Sequence, residues 1–190
     1  MDALELLTAD HNRVRGLFTR FKDAKERDSV DEMTVLCSTI LTELEVHTAI
    51  EEEIFYPTLR DVNDEIHESI TEGYEEHAVV KDLMQQLRSL EPNPEEWAAK
   101  ATVMIENVEH HAEEEESNLF PMVRSATTQE DREALAERME ARKRELGAPT
   151  LADKIDLRKS ELQQLAKEQE IPGRSKMSQE ELAATVAPPA

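Results

Sequence analysis

Hydrophobic positions in the first 125 residues recur every three or four places, which is the period of an amphipathic helix rather than of a strand. In the first segment these positions are Leu4, Leu7, Val14, Leu17, Phe18 and Phe21. Later stripes comprise Leu36, Ile40 and Leu44 in a second segment and Ile66, Ile70, Val80, Leu83, Leu87 and Leu90 in a third. The pattern predicts a series of helices, each with one face turned towards a shared core.

Polar start signals mark where these helices begin, and a fourth start follows the third stripe. The signals are the capping-box pairs Asp2 with Glu5 and Ser29 with Glu32, the turn cluster Asp61-Val62-Asn63-Asp64, and the sequence Asn93-Pro94-Glu95-Glu96. Connections this short favour antiparallel neighbours. The predicted fold class is therefore all-α, with an up-down-up-down four-helix bundle over residues 1–125.

The remainder of the chain divides into three predicted parts. Residues 126–147 are expected to form an additional charged helix, which a glycine ends. Residues 148–150 are the best candidate for a linker. Residues 151–190 are expected to form a small helical unit, with helices near 158–169 and 178–186.

Composition narrows the class of protein. Aromatic residues make up only 4% of the chain, which disfavours a β-sandwich. The single cysteine, Cys37, excludes an internal disulfide framework, and its default interpretation is a buried apolar side chain. The first residues are acidic and no apolar run reaches the length of a membrane span, so we expect a cytoplasmic protein with no membrane partner. A net charge of −21 argues against general nucleic-acid binding by the main body.

An internal repeat is the most informative feature of the sequence. Residues 47–57 read HTAIEEEIFYP and residues 111–121 read HAEEEESNLFP, and a further histidine lies upstream of each segment. Each half therefore predicts a helical hairpin, with one histidine on its first helix and His-x-x-x-Glu on its second. The six repeated residues are His11, His47, Glu51, His77, His111 and Glu115.

The spacing of these residues predicts that they meet. Side chains four apart on a helix point in the same direction, which applies to both His-x-x-x-Glu pairs. Successive histidines of the repeat are equidistant from Ser29, Val62 and Pro94, and these three midpoints lie at the three predicted turns. In an antiparallel bundle, residues equidistant from a turn lie at equal height. All four histidines should therefore occupy one layer.

An inward-facing layer of four imidazoles and two carboxylates has few physical justifications. Buried carboxylates must be paired or bound to a cation, because an isolated one costs several kcal/mol or becomes protonated. Two divalent metals about 3.5–4 Å apart, bridged by Glu51 and Glu115, would satisfy every group. The mixture of ligands suits iron best, with manganese and zinc as alternatives.

The motifs Asp10-His11, HTAIEEEIFYP, Glu76-His77 and HAEEEESNLFP resemble those of the hemerythrin-like, or HHE cation-binding, domain. The resemblance covers roughly residues 1–125. It implies two non-haem iron ions that are bridged by carboxylate and held by His11, His47, Glu51, His77, His111 and Glu115. Whether an oxide, a hydroxide or neither also bridges the irons stays open. O2, hydrogen peroxide and nitric oxide are the small ligands that the resemblance implies.

Two positions depart from the oxygen carriers of that family. The carriers have a second histidine four residues after the third-helix histidine, where this chain has Lys81. They also have an aspartate five residues after the last histidine, where this chain has Glu116. With fewer histidine ligands, the iron pair is expected to be more open, which argues against reversible oxygen carriage. An open site would also allow catalase-like peroxide disproportionation, so whether the protein is an enzyme stays open. His110 is interpreted as a surface or supporting residue, and His67 as unrelated to the site.

The last segment resembles the small helical N-terminal subdomain of the transcription terminator Rho and, more loosely, SAP-type modules. The resemblance rests on residues 157–162, on residues 166–168, on the turn 171–177 and on residues 181–182. It implies nucleic-acid contact through Arg174 and Lys176, and a role in docking another protein is an equal alternative. The second functional hypothesis follows: an iron, oxygen or redox sensor that signals through this unit.

Overall fold

The structure is a computed structural model that describes residues 1–147, and residues 1–139 form one compact unit. Every element among the described residues is helical. The helices are α1 (Ala3–Glu26), α2 (Val30–Ile50), α3 (Tyr56–Leu59), α4 (Asp64–Ser89), α5 (Glu96–Glu114), α6 (Phe120–Ala126) and α7 (Gln129–Glu145). Two π-helical segments, π1 (Glu51–Phe55) and π2 (Glu115–Leu119), continue α2 into α3 and α5 into α6.

The all-α bundle predicted from the sequence is confirmed. Helix α1 packs along α2, and α4 packs along α5, so the bundle consists of two helical hairpins. We call residues 3–59 the first hairpin and residues 64–126 the second. No helix among residues 1–147 is both long and apolar enough to cross a lipid bilayer. The domain boundaries stay predictions, and the predicted unit at 151–190 lies outside the described residues.

The helix starts agree with the sequence in part. Asp2 and Glu5 form the expected capping box, and the Asn63 side chain accepts the N–H of Ile66 at the start of α4. The predicted box at Ser29 is wrong, because the Ser29 side chain makes no capping hydrogen bond. Its intended partner, Glu32, instead accepts a hydrogen bond from the guanidinium of Arg27.

Both π-helical segments have a local cause in the sequence. Pro57 and Pro121 lack a backbone N–H, and a proline ring inside a helix crowds the carbonyl of the residue four places earlier. The preceding N–H groups, those of Tyr56 and Phe120, bond to carbonyls five places back, on Glu51 and Glu115. Each candidate ligand glutamate is therefore the first residue of a π-helical segment. Such segments are frequent at functional sites.

Two apolar clusters fill the bundle and leave a polar layer between them. The first cluster includes Phe18, Leu44 and Trp97, and the second includes Leu7 and Phe55. The candidate ligands fall between these clusters on all four long helices. Burial of the two clusters supplies the hydrophobic stabilisation that can offset the cost of the polar layer.

Candidate metal centre

The structure places all six predicted site residues in the interior. None of His11, His47, Glu51, His77, His111 and Glu115 has more than 5% of its surface exposed, and Glu51 has none. They approach from α1, α2, α4 and α5 and from the first residue of each π-helical segment. The six residues lie on the same helix faces as the apolar stripes. The packing that buries those apolar side chains therefore also directs these polar groups inward.

The imidazoles lie in two facing pairs, one from each hairpin. The Nε2 atoms of His11 and His47 are 3.2 Å apart, and those of His77 and His111 are 3.1 Å apart. Within each pair the rings meet edge to face. All four Nε2 atoms therefore converge on one small region.

The two carboxylates lie between these histidine pairs. One oxygen of Glu51, Oε2, is 3.2 Å from His47 Nε2 and 3.3 Å from His77 Nε2, so it joins the two hairpins. The Oε2 atom of Glu115 lies 3.4 Å from His11 Nε2 and 3.8 Å from His111 Nε2. Each carboxylate thus faces one histidine from its own hairpin and one from the other.

These donor atoms form two overlapping groups with the spacing of metal ligands. His11, His47, Glu51 and Glu115 offer four donor atoms within 4.8 Å of one another. Glu51, His77 and His111 offer three donor atoms within the same distance. Because Glu51 belongs to both groups, it is the residue best placed to bridge two ions.

A second set of carboxylates orients the imidazoles from outside. The Nδ1 atom of His11 is 2.8 Å from a Glu116 oxygen, and that of His77 is 3.0 Å from a Glu52 oxygen. With the proton on Nδ1, each histidine donates outward and turns its Nε2 lone pair towards the centre. In both cases the accepting carboxylate belongs to the opposite hairpin.

The remaining two histidines face carboxylates of their own hairpin. His111 Nδ1 is 2.7 Å from a Glu76 oxygen, a hydrogen-bonding distance. His47 Nδ1 is 3.8 Å from the nearer Asp10 oxygen and makes no hydrogen bond. The shorter side chain of aspartate gives a looser contact than glutamate does at the equivalent position of the repeat.

Cations at equivalent positions stabilise the two outer glutamates that cross between the hairpins. Arg15 donates to Glu116 at 2.8 Å, and Lys81 donates to Glu52 at 2.6 Å. The hydrogen bond from His77, with Lys81 beside it, outweighs burial and lowers the pKa of Glu52 to about 2. The corresponding contacts of His11 and Arg15 lower the pKa of Glu116 to about 2. Lys81, at the position where the oxygen carriers have a histidine, therefore serves the outer set of carboxylates.

The inner groups share protons unequally in the absence of metal. Burial and the neighbouring Glu115 raise the pKa of Glu51 well above its ordinary value. Burial opposes the ionisation of Glu115 too, but the positive charge of His111 and the close approach and charge of the His11 imidazole lower its pKa. Burial would lower the pKa of His11, yet the adjacent carboxylates of Glu115 and Glu116 raise it to about 9. Burial lowers the pKa of His47 to about 4.

Unsatisfied buried atoms indicate what these residues are suited to hold. Both oxygens of Glu51 and the Oε2 atom of Glu115 are buried without a hydrogen-bond partner. Such atoms are costly in a protein interior unless a cation or a donor compensates them. Neutral imidazole nitrogens and carboxylate oxygens are the donors that zinc, iron and manganese accept. The residues therefore fit a pair of metal ions.

Aromatic side chains cover the centre on the side of the second apolar cluster. The ring of Phe120 stacks on His11 at 6.0 Å between centroids, and that of Tyr56 stacks on His77 at 5.6 Å. Phe120 and Tyr56 are equivalent in the repeat, since each immediately precedes its proline. Only Tyr56 has a hydroxyl group, which donates to Glu115 Oε1 at 2.9 Å.

The opposite side of the layer opens into a small cavity. Its volume is about 10 Å³, roughly the space that one water molecule needs. The inner wall consists of His11, His47 and His111, and apolar side chains that include Val14 and Phe18 complete much of the lining. The space beside the imidazoles is therefore water-sized and too small for a bulky substrate.

Several supporting residues were missed by the sequence analysis. In the sequence analysis no role is assigned to Glu52, Glu76 or Tyr56, and Glu116 is named only as a departure from the oxygen carriers. A signal was present, because an acidic residue precedes each first-helix histidine and follows each repeated glutamate. His110 is largely exposed and lies 3.9 Å from a Glu76 oxygen. His67 is exposed and near the Arg60 carbonyl, away from the centre.

Three known proteins are similar in sequence to this chain. An uncharacterised protein of Mycobacterium tuberculosis is 32% identical over 155 residues, which is 78% of this chain and 90% of that protein. A protein of Nostoc sp. named DNA nickase is 28% identical over 143 residues, which is 75% of this chain but 39% of that relative. An uncharacterised hemerythrin-like protein of Schizosaccharomyces pombe is 22% identical over 136 residues, covering 71% of this chain and 66% of that protein.

This chain therefore spans well under half of the DNA nickase. No solved structure matches it. The family model described as the hemerythrin HHE cation binding domain matches residues 2–123, which is more than half of the chain and contains every residue of the buried His and Glu cluster. The chain belongs to the hemerythrin HHE cation-binding domain family.

Proposed function

We propose that this protein holds two non-haem iron ions in the buried layer and uses them to bind or process O2, hydrogen peroxide or nitric oxide. The observation that supports the proposal is the set of partnerless carboxylate oxygens on Glu51 and Glu115 between four converging Nε2 atoms. Such an arrangement is costly without cations and satisfied with them. The mixture of imidazole and carboxylate ligands favours iron over the harder cations Mg²⁺ and Ca²⁺.

The chain's own residues would orient the ligands and limit access. Glu52, Glu76 and Glu116 fix the tautomer of three imidazoles by accepting their Nδ1 protons. The two apolar clusters keep bulk water from the layer, and the cavity beside it has room for about one water-sized molecule. When bound, a pair of irons supplies two electrons in total and a coordination position for such a molecule.

The preferred reaction is the disproportionation of two molecules of hydrogen peroxide to two of water and one of O2. This reaction needs no external electron donor. Because position 81 is a lysine and not a histidine, the protein would also supply fewer ligands to the metals. Full-length protein loaded anaerobically with ferrous iron should contain about two irons per chain by mass spectrometry. It should also release O2 from peroxide in an oxygen electrode. Two bound irons without O2 release would contradict the enzymatic part alone and leave a carrier or a sensor.

A sensor that acts through the C-terminal residues is the second candidate. The family match ends at residue 123, so much of the chain is free for another role, and one relative carries the name DNA nickase. Arg174 and Lys176 are the residues proposed to contact nucleic acid. Gel-shift titrations with and without iron should give different affinities if the centre signals to this segment. Equal affinities, or no binding in either state, would contradict the candidate.

A cytoplasmic location is part of the same proposal. A reducing compartment would keep Cys37 as a thiol, and burial, only partly offset by Arg88, raises the pKa of this thiol to about 11. Fractionation of the source cells with an antibody against the chain tests this location. Recovery in a secreted or membrane fraction would contradict it.

A further inference from the structure

We propose that Tyr56 is a positioning residue that makes the two metal positions unequal, and that Gly73 makes room for it. This inference rests on the proposed function, because it concerns how the same six residues divide between two ions. It goes beyond that function by assigning a role to residues that are not themselves ligands.

The hydrogen bond from Tyr56 occupies one of the two oxygens of Glu115. The phenol donates to Oε1 at 2.9 Å, so Oε2 alone remains without a partner. Glu51 has no such donor, and both of its oxygens are unpartnered. The two repeated glutamates therefore differ in how many lone pairs they can offer to metals, although their positions in the sequence are equivalent.

The free oxygen of Glu115 also lies closer to one histidine pair. Its Oε2 atom is 3.4 Å from His11 Nε2 but 3.8 Å from His111 Nε2. The four-donor group accordingly includes Glu115, whereas the group containing His77 and His111 has only Glu51 as its carboxylate. One metal position thus has four donors from the protein and the other has three.

Gly73 permits this hydrogen bond by its lack of a side chain. A Cβ atom at Gly73 would lie 2.8 Å from the Tyr56 hydroxyl oxygen and 3.2 Å from the ring carbon that bears it. Because a Cβ–oxygen separation of 2.8 Å is shorter than real structures show, the Tyr56 hydroxyl would have to shift from its place. The equivalent positions of the repeat are Leu7 for Gly73 and Phe120 for Tyr56, so the first-hairpin glutamate receives no matching donor.

Stepwise binding of cobalt(II) to the full-length, metal-free protein tests this assignment without any turnover. The wild type should bind two ions with clearly different affinities, which calorimetry and the cobalt absorption bands resolve. Tyr56→Phe keeps the ring and removes only the donor, so Glu115 gains a lone pair for the second ion. The second affinity should rise about tenfold, since hydrogen bonds to charged groups are of that strength, and the two steps should become more alike.

Two further variants separate positioning from a general structural effect. Tyr74→Phe removes a neighbouring hydroxyl that reaches only the Glu52 backbone carbonyl at 3.3 Å, and should leave both affinities unchanged. Gly73→Ala should bring the two steps closer, as Tyr56→Phe does, but should add little in a protein that already has Tyr56→Phe. Agreement across this cycle would support Tyr56 as the group through which Gly73 acts.

The outcomes that overturn the inference differ from those that overturn the function. Two equal affinities in the wild type would overturn it, and so would a second affinity that Tyr56→Phe lowers or leaves as Tyr74→Phe does. In those cases the two-metal function would stand. A wild type that binds no metal at all would overturn both.

Discussion

The two hairpins of the bundle repeat the same set of polar groups but differ in the atoms that surround them. Each hairpin supplies two histidines, one inner glutamate and one outer glutamate that reaches the opposite hairpin. Each also supplies a cation, Arg15 or Lys81, to the outer glutamate that its own histidine contacts. The inner ligands and their outer supports therefore follow an approximate two-fold relation.

The two hairpins differ in the residues that surround these ligands and supporting groups. The first hairpin contributes a tyrosine where the second contributes Phe120, and the second contributes Gly73 where the first contributes Leu7. Asp10 also faces Arg13 at 3.8 Å, and Arg13 pairs with Glu43, an interaction that has no equivalent at Val79 and Asn107. The comparison teaches that the repeat specifies which groups surround the centre, while non-repeated neighbours decide how they share protons and metals.

The largest predicted effect is on metal affinity, when the carboxylate of Glu51, which both donor groups share, is removed. Glu51→Gln should weaken the binding of two metals by more than about 100-fold, because changes in supporting residues alone cost about 10–100-fold. Glu115→Gln should chiefly weaken one of the two steps, since Glu115 belongs to one donor group. Metal titration with Glu113→Gln, an exposed member of the same acidic run, provides the control. Equal losses for both steps in Glu115→Gln would contradict the division into two groups.

The next largest effect is the dependence of metal binding on pH, which follows from the proton on His11. This histidine keeps its proton up to a pH of about 9 in the metal-free protein, and a metal must displace it. Affinity should therefore rise by up to about tenfold per pH unit between pH 7 and 9, with the His11 proton among those released. Calorimetry in buffers of different ionisation enthalpy measures that release, and His67→Gln, at an exposed histidine, is the control.

The same proton predicts the opposite trend for folding. The pKa of His11 in the folded protein is raised above its ordinary value, so the stabilisation that it provides is complete below pH 6.5. That stabilisation is lost as the pH rises through 9. The metal-free protein should therefore become easier to unfold over the range in which metal affinity increases. Parallel trends in the two measurements would contradict the assignment of the proton to His11.

Substitution of the outer carboxylates Glu76 and Asp10 should weaken metal binding by intermediate amounts that differ between the two hairpins. Glu76 accepts from His111 at 2.7 Å, whereas Asp10 stays 3.8 Å from His47. Glu76→Gln should weaken metal binding about tenfold, and Asp10→Asn about threefold or less, because Asp10 lies too far from His47 Nδ1 to orient that imidazole by a hydrogen bond. Competition with a coloured chelator gives both affinities. A larger loss in Asp10→Asn would show that Asp10 supports the centre by another route.

The smallest predicted effect is on the free energy of unfolding of the metal-free protein. Substitution of the inner glutamate should change it in opposite directions in the two hairpins. Glu51 carries a raised pKa and unpartnered oxygens, so Glu51→Gln should increase the free energy of unfolding by about 1 kcal/mol at pH 7. Glu115 carries a lowered pKa through His111 and His11, so Glu115→Gln should decrease it by about 2 kcal/mol. Urea unfolding followed by circular dichroism, with chelator present, measures both. Changes of the same sign would contradict the unequal roles of the two glutamates.

Much of the fold and the ligand cluster could be predicted because the signals are local or symmetric. Helical periodicity fixes which residues face inward, and the equal distances from the three turns bring residues such as His11 and His111 to one height. The structure places the six predicted residues together, and their role as ligands stays a prediction. Local signals also gave the Asp2 cap and the start of α4 near Asn63.

The features that could not be predicted depend on contacts distant in sequence or on competition between neighbours. Glu52 and Glu116 support histidines of the opposite hairpin, a relation that helical spacing within one hairpin does not reveal. The hydrogen bond from Tyr56 requires Gly73 on another helix. The Ser29 side chain makes no capping hydrogen bond, and Glu32 pairs with Arg27 instead; sequence alone does not rank those two pairings.

The central claim is that the six buried residues hold two metal ions in one layer. Anomalous diffraction from crystals of the iron-loaded, full-length protein, collected on both sides of the iron edge, tests it most directly. The account predicts two peaks about 3.5–4 Å apart between the facing histidine pairs, with Glu51 touching both. A single peak, peaks elsewhere in the bundle, or none after anaerobic loading would contradict it.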